Sequence, residues 1–242
     1  QLSGVIRANS LTYENQTYGT RLSDMTLAAR FNGERLEIER LRATAGDGTV
    51  SAQGFVSLAE ASGYPMDVRV TMDDARLARS EAIDATATGE LRLTKAANQT
   101  ALLAGDIRLP ETRYEIIRQG AAEVPELTGV FDLLRLDIDL TAPERLYVSG
   151  MGLESEWDAD LNIAGTSAAP RISGDVELIR GTLGFAGRSF ELQEGRVAFT
   201  GGTAIDPVIT LVASEDIEDV TVRVNVSGRA YDPQIAFSST PG

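Results

Sequence analysis

The stretch Gly187–Gly202, GRSFELQEGRVAFTGG, alternates apolar and polar residues almost without error. Phe190 and Leu192 stand two positions apart, and Val197 and Phe199 repeat this spacing after a short polar segment. Because successive side chains of a strand point to opposite sides of a sheet, the spacing predicts strands with one apolar face. The stretch therefore raises the question of what covers that face.

The same alternation recurs elsewhere, with turn residues between the alternating segments. It predicts an all-β protein made of many short strands, each with one apolar and one polar face. The clearest segments are Met25–Phe31, Leu134–Leu140, Trp157–Ile163 and Val220–Val226. Helical candidates are few: Asp73–Ile83 has the best helical pattern, although an irregular connection would explain it equally well.

Four apolar pairs recur at a step of seven residues between positions 176 and 199. Their members are Val176, Leu178, Leu183, Phe185, Phe190, Leu192, Val197 and Phe199. Two-residue loops at Arg180–Gly181, Gly187–Arg188 and Glu194–Gly195 would place all of them on one face of a four-strand meander. In that register Phe185 stands opposite Phe190.

The apolar face of this meander needs a cover. Burial of each large apolar side chain is worth about 1.5–3 kcal/mol, too much for the whole set to be left in water. The sequence offers no long amphipathic helix for this purpose. The cover is therefore a second sheet, the same sheet curled over itself, or an apolar ligand.

Composition excludes several classes of function. The 242 residues carry a formal net charge of −14 and include neither Cys nor His. Thiol and imidazole catalysis, disulfides and the usual structural zinc sites are therefore excluded, and a nucleic-acid partner is disfavoured by charge repulsion. No run of 18 apolar residues is present to span a membrane as a helix.

Paired carboxylates are the remaining candidates for chemistry, as acid–base groups or calcium ligands. Examples are Glu154 with Glu156, Asp158 with Asp160, and Glu215 with Asp216. Acidic residues are mostly exposed, so we interpret these as solvated positions. The sequence therefore predicts no catalytic residue, no metal site and no cofactor, and the protein is not expected to be an enzyme.

The chain divides around a charge-rich segment. Residues 111–126, bounded by Pro110 and Pro125, are predicted to be a linker or excursion between a β-rich part at 1–110 and another at 127–242. A loose motif, a glycine followed by alternating apolar residues, begins strands in both parts. It starts at Gly4, Gly89, Gly105 and Gly174. One kind of strand is used many times, without the strict period of a solenoid.

Residues 146–242 resemble the carboxy-terminal conserved domain of the TamB family, within the wider AsmA-like group. The segments that carry the resemblance are Val148–Glu156, Leu161–Pro170, Gly174–Gly181, Phe185–Leu192 and Gly228–Pro241. Residues 1–145 are similar to the family only through the glycine-led strands. Members of the family usually continue to a final segment with an aliphatic–Phe–Gly–Arg motif, which we expect to be missing here.

This resemblance implies a bacterial periplasmic sheet folded into an open, taco-like groove with an apolar lining. The full-length protein would be anchored in the inner membrane by an amino-terminal helix. The family is implicated in phospholipid transfer between inner and outer membranes, and in outer-membrane protein assembly with the Omp85-family barrel TamA.

We accordingly expect an elongated curled antiparallel sheet whose groove shields phospholipid acyl chains. The eight residues of the meander would line it, followed by Val222, Val224, Leu134, Leu136 and Ile138. Two alternatives stay open. The protein could be an assembly factor that binds clients or a TamA-like barrel through a sheet edge or the groove. It could instead be a closed β-sandwich with a structural role.

Overall fold

A computed structural model of the protein describes residues 2–16, 19–116 and 134–241. Within these ranges fourteen strands form one sheet, in which the spatial order of the strands is the order of the chain. The prediction of an all-β, elongated curled sheet is confirmed. The sheet is mixed, because β7 and β8 pair in parallel whereas every other pair is antiparallel.

The strands are long, mostly ten to seventeen residues. Their bounds are β1 Leu2–Asn15, β2 Thr20–Gly33, β3 Arg35–Ala45, β4 Gly48–Ser57, β5 Met66–Arg79, β6 Ile83–Lys95, β7 Leu102–Glu115, β8 Arg135–Gly150, β9 Leu153–Thr166, β10 Ala169–Phe185, β11 Arg188–Thr200, β12 Val208–Ile217, β13 Val220–Arg229 and β14 Asp232–Pro241. In the described residues the helical structure is a single 3-10 turn at Glu60–Ser62.

The predicted linker at 111–126 falls partly in this sheet. Its first five residues, Glu111–Glu115, continue β7, and residues 117–126 lie outside the described residues. The sheet passes from the amino-terminal to the carboxy-terminal strands through the parallel pairing of β7 with β8.

The prediction of a helix at Asp73–Ile83 is wrong, because these residues belong to the end of β5, the following turn and the start of β6. Two β-bulges interrupt the pairing of β5 with β6. Each bulge inserts a residue into the period-two alternation. As a result Met72, Ala75 and Ala78 face the same side at a spacing of three, which imitates the spacing of a helix.

The four-strand meander is also wrong, since only one of its three turns exists. The chain reverses at Ala186–Gly187, while Arg180–Gly181 and Glu194–Gly195 lie inside β10 and β11. Bulges at Ile179 and Gln193 explain the difference. Before a bulge the apolar face carries residues with even numbers, for example, and after the bulge it carries residues with odd numbers. A two-residue turn between strands produces the same change, so the two features look alike in the sequence.

The real turn sets a different register from the predicted one. Phe185 pairs with Arg188, and Phe190 pairs with Leu183, so the predicted pairing of Phe185 with Phe190 is wrong by two residues. Leu183 and Phe190 still share one side of the sheet, because directly paired residues point the same way.

Glycines inside the strands allow the backbone of a neighbouring strand to approach closely. Gly89, Gly105 and Gly174 have φ angles of 149°, 145° and 115°, which side chains rarely adopt. A Cβ at any of them would overlap a carbonyl oxygen of the neighbouring strand. Gly4 begins the same sequence motif but has nothing within 4 Å of such a Cβ. The glycine of the repeated motif is therefore a steric requirement in the middle strands and optional at the edge.

The outer side of the sheet carries ion pairs between neighbouring strands. Arg92 donates two hydrogen bonds to Asp67, at 2.8 and 2.6 Å, and Arg196 donates one to Asp175 at 2.8 Å. The hydrogen bond from each guanidinium holds the pKa of its aspartate below the ordinary value. Such exposed pairs contribute little to stability, but they keep this side of the sheet charged and hydrated.

We predict that Gly105→Ala destabilises the protein, because the new methyl group meets the carbonyl of Glu90 and the backbone angle becomes strained. The expected loss is about 2 kcal/mol or more in the free energy of unfolding, measured by urea titration. The matched control is Gly4→Ala, with an expected change within about 0.5 kcal/mol. Equal losses in the two variants would contradict the steric role of Gly105.

We also predict a pKa change on the outer side. In Arg196→Gln the pKa of Asp175 should rise toward its ordinary value of about 3.9, because its hydrogen-bond donor is lost. Because the pKa of Asp175 is depressed in the folded protein, the pair stabilises the fold at pH values above the pKa of the unfolded state. This stabilisation is lost as the pH falls through the pKa of the folded state. Carboxyl NMR titration measures both aspartates. Asp67, which bonds to Arg92, is the internal control and should not move.

Candidate functional site

One side of the sheet is mainly apolar from strand to strand, and we call it the inner face. Directly paired residues point to the same side, so this face can be followed from strand to strand. Ile138 pairs with Ile163, which pairs with Ile172, and Val176 pairs with both Ala159 and Val197. The same continuity holds from β1 to β14.

Charged residues are almost confined to the opposite side. At the paired positions of the described strands, the register places three charged residues on the inner face: Lys95, Arg188 and Glu215. Lys95 is the last residue of β6, and the other two lie near the turns that end β10 and β12. The central positions of the inner face are apolar or small.

All eight residues of the predicted meander lie on the inner face, despite the wrong turns. The bulge at Ile179 keeps Leu178 and Leu183 on one side, and the bulge at Gln193 does the same for Leu192 and Val197. Their exposure varies along the strands. Phe190 and Leu192 are buried, Phe185 is 51% exposed, and Val176, Leu178, Leu183, Val197 and Phe199 are half-buried.

The second predicted group extends the inner face on both sides of these strands. Val222 and Val224 lie on β13, where Val224 pairs with Ala213. Leu136 and Ile138 lie on β8, and Leu134 comes immediately before that strand with its carbonyl accepting a hydrogen bond from Ser167. Val224 and Ile138 are buried, whereas the other three are half-buried.

Sequence reasoning missed Trp157, the only tryptophan of the chain. Its ring lies on the inner face, buried over the strand two places away, where a Cβ on Gly195 would come within 2.7 Å of it. The indole N–H donates to the Ser155 hydroxyl at 2.8 Å, and this hydroxyl donates to the carbonyl of Val148 at 2.9 Å. The sequence places Trp157 in a strand, but only the register shows that it opposes a glycine.

A matching apolar cluster in the amino-terminal strands was missed as well. Its buried members are Ala45, Met72, Ala75 and Ala87, with Leu91 and Ile107 packed against them. The carboxy-terminal cluster contains Phe190, Leu192, Ala213 and Val224. The alternation of Val68, Val70 and Met72 was the available signal. The inner face thus has two apolar clusters.

The fourteen described strands belong to one sheet, so no second sheet of described residues covers the inner face. Ten of the sixteen buried apolar residues are alanines, and no large side chain is less than 2% exposed among the described residues. In a closed core the large side chains would be the buried ones. Small residues therefore make up most of the buried floor of this face, and most of its large side chains stay partly accessible.

The total accessible surface supports an open sheet. It is 15193 Å² for a chain of 25.9 kDa, compared with about 10,500 Å² for a compact protein of that mass. The residues outside the described ranges can account for at most about 3,300 Å². An excess remains after this allowance, as expected for an open sheet and not for a closed sandwich or barrel.

The sheet nevertheless curls. Phe185 on β10 and Phe237 on β14 are four strands apart, about 19 Å in a flat sheet, yet their ring centroids are 5.7 Å apart. Near the other end, the Thr20 hydroxyl on β2 donates to the carbonyl of Leu77 on β5 at 2.5 Å. Curling of one uncovered layer turns the inner face into a trough.

Other chemistry finds little support in the described residues. They contain no group of three or more His, Cys, Asp or Glu residues placed to hold a metal ion. They also contain no helix long and apolar enough to cross a membrane. Of the carboxylate pairs, Glu154 with Glu156 and Asp158 with Asp160 lie on the outer side of β9. Glu215 and Asp216 point to opposite sides of β12.

The fold and the site together define a class: a β-sheet protein that presents a curved, uncovered apolar trough on one side and a charged surface on the other. The comparison with protein families agrees with this class, since residues 39–242 match the TamB C-terminal domain. The chain belongs to the TamB family. Proteins of this family are associated with the cell envelope and with its biogenesis. A comparison with curated proteins found no match.

The match begins well before residue 146, where the resemblance in the sequence starts. Residues 39–145 are therefore part of the family domain, which corrects the expectation that they resemble it only in style. This agrees with the structure, in which one continuous sheet includes both parts.

We predict unequal stability effects for two phenylalanines of the inner face. Phe190→Ala removes a buried ring from the carboxy-terminal cluster and should cost about 3–4 kcal/mol in the free energy of unfolding. Phe185→Ala removes a half-exposed ring and should cost about 1 kcal/mol or less. Urea titration of both variants measures the difference. Similar costs would contradict the difference in burial between the two rings.

Proposed function

We propose that the trough shields the acyl chains of phospholipids in passage between the inner and outer membranes. The observation that supports this most directly is the uncovered inner face, which is apolar in its central positions and runs through all fourteen described strands. An acyl chain suits such a face because it is apolar and flexible and requires no hydrogen bonds. Transfer of each CH₂ group from water is worth about 0.8 kcal/mol.

The dimensions of the sheet suit this role. Strands in a sheet are about 4.8 Å apart, so fourteen of them extend about 60 Å when the distance is measured along the curved sheet. This is about twice the thickness of the hydrocarbon core of a bilayer. A lipid can therefore keep its chains on the apolar surface over a distance longer than the thickness of the hydrocarbon core of a bilayer.

The proposed lining combines the predicted residues with those that the structure adds. It comprises Val176, Leu178, Leu183, Phe185, Phe190, Leu192, Val197, Phe199, Val222, Val224, Leu134, Leu136 and Ile138, together with Trp157. The process would be passive: these side chains replace the bilayer as solvent, and the ion pairs of the outer side keep the sheet hydrated. Width and continuity of the trough then matter more than any single side chain.

The setting that we propose follows the family. The domain would work in the periplasm, in a protein anchored in the inner membrane by an amino-terminal helix, with a TamA-like outer-membrane barrel as partner. No catalysis, cofactor or nucleic acid is part of this function. The net charge of −14 is consistent with that, because it repels nucleic-acid phosphates.

A second candidate is an assembly factor that pairs with strands of a client or partner barrel. The observation that favours it is β14, which has β13 as its one neighbour among the described strands and whose Ile235 and Phe237 are 59% and 58% exposed. Exposed edges of this kind accept further strands. A closed sandwich is not favoured, because the described strands form a single uncovered sheet.

A photocrosslinking experiment in cells tests these alternatives. A crosslinker at Phe199 on the inner face should give lipid adducts, and one at Glu191, which pairs with Ser214 on the outer side, should give none. A third position, Gln234 on β14, reports on strand addition. Equal lipid labelling at Phe199 and Glu191 would overturn the transport proposal. Protein adducts concentrated at Gln234 would support the assembly factor.

A further inference from the structure

An ion pair interrupts the apolar surface near one rim of the trough. Arg188 lies at the start of β11 and pairs with Phe185 across the turn, and Glu215 lies on the next strand, where it pairs with Val222. The closest atoms are Nη1 of the arginine and Oε1 of the glutamate, 3.4 Å apart. Both side chains therefore share the inner face with Phe190.

This pair differs from the ion pairs of the outer side. Glu215 is 20% exposed and its Oε2 atom is buried without a hydrogen-bond partner, whereas Arg188 is 52% exposed. A shielded carboxylate oxygen without a donor is unfavourable unless another group supplies one. At 3.4 Å the contact is long for a charge-assisted hydrogen bond, so it leaves most of the five guanidinium N–H donors open to a further acceptor.

Two aromatic rings lie on the Arg188 side of the pair. Phe185 stands directly across from Arg188, and its ring contacts that of Phe237, which is also exposed. A positive group, a negative group and two exposed apolar rings thus lie together at the edge of the trough. A zwitterionic phospholipid presents three complementary features: an anionic phosphate, a cationic ammonium group and the start of its acyl chains.

We propose that Arg188 and Glu215 form a headgroup site for zwitterionic phospholipids of the phosphoethanolamine type. This rests on the proposed transport function. The phosphate would bind the guanidinium of Arg188, and the ammonium group would donate to the unpartnered Oε2 of Glu215. The acyl chains would begin on Phe185 and Phe237. An anionic phosphoglycerol headgroup brings no ammonium, so it would bind less well beside the glutamate.

Trp157 provides the assay, because it is the only tryptophan and lies on the inner face. Delipidated protein is titrated with lipids that carry identical brominated acyl chains, and the quenching of its fluorescence is measured. The three probes are phosphatidylethanolamine, phosphatidylglycerol and diacylglycerol, which has no phosphate. We expect the first to bind about twofold to fivefold more tightly than the second, the range of a partly exposed charge pair.

The variants separate the two roles. Glu215→Gln should abolish the preference for phosphatidylethanolamine, and Arg188→Gln should weaken both phospholipids about twofold to fivefold without changing diacylglycerol. The matched control is the outer pair, Arg196→Gln with Asp175→Asn, which should leave all three titrations unchanged. Thermal unfolding of each variant verifies that the sheet is intact, and isosteric Glu215→Gln changes the packing least.

The outcomes distinguish this site from the function on which it rests. Quenching by all three lipids with no headgroup preference would overturn the site and leave acyl-chain binding in place. An unchanged preference in Glu215→Gln would also overturn it, since the ion pair would then be a structural contact only. Absence of quenching by any of the lipids would overturn the proposed function itself, and the headgroup site with it.

Discussion

The structure depends on one constraint: a single layer of strands has to expose an apolar side that no other part of the described chain covers. Paired residues on neighbouring strands point the same way, so every strand must keep its apolar residues on the same side through each bulge and turn. The register meets this condition from β1 to β14. Burial is obtained by curling instead of stacking, and this produces a concave surface where a sandwich would have a core.

Alternation of apolar and polar residues was sufficient to predict the fold class and most strands, because the period of two is a property of the extended backbone itself. It was not sufficient to place the turns. At Arg180–Gly181 and Glu194–Gly195 a bulge and a two-residue turn would shift the alternation identically. Only the pairing of β10 with β9, and of β11 with β12, distinguishes a bulge from a turn at these positions. Bulges also made Asp73–Ile83 look helical, because they place its buried residues three positions apart.

The candidate site was predictable where apolar residues are large and regularly spaced, as from Val176 to Phe199. It was not predictable where its character comes from contact between strands distant in the sequence. Trp157 lies over Gly195, and the charges of Arg188 and Glu215 reach the apolar side, only because of a register that the turns and bulges determine. The local alternation of apolar and polar residues does not determine that register.

Contacts between strands are nearly confined to neighbours in the sheet, with β2, β3 and β5 as the main exception. Each hairpin is therefore supported mostly by the one before it and the one after it, as in repeat proteins. Insertion or deletion of a hairpin would change the length of the trough by about 10 Å while leaving the distant strands as they are. Natural variation can thus lengthen or shorten such a sheet one hairpin at a time, without a redesign of the strands that stay.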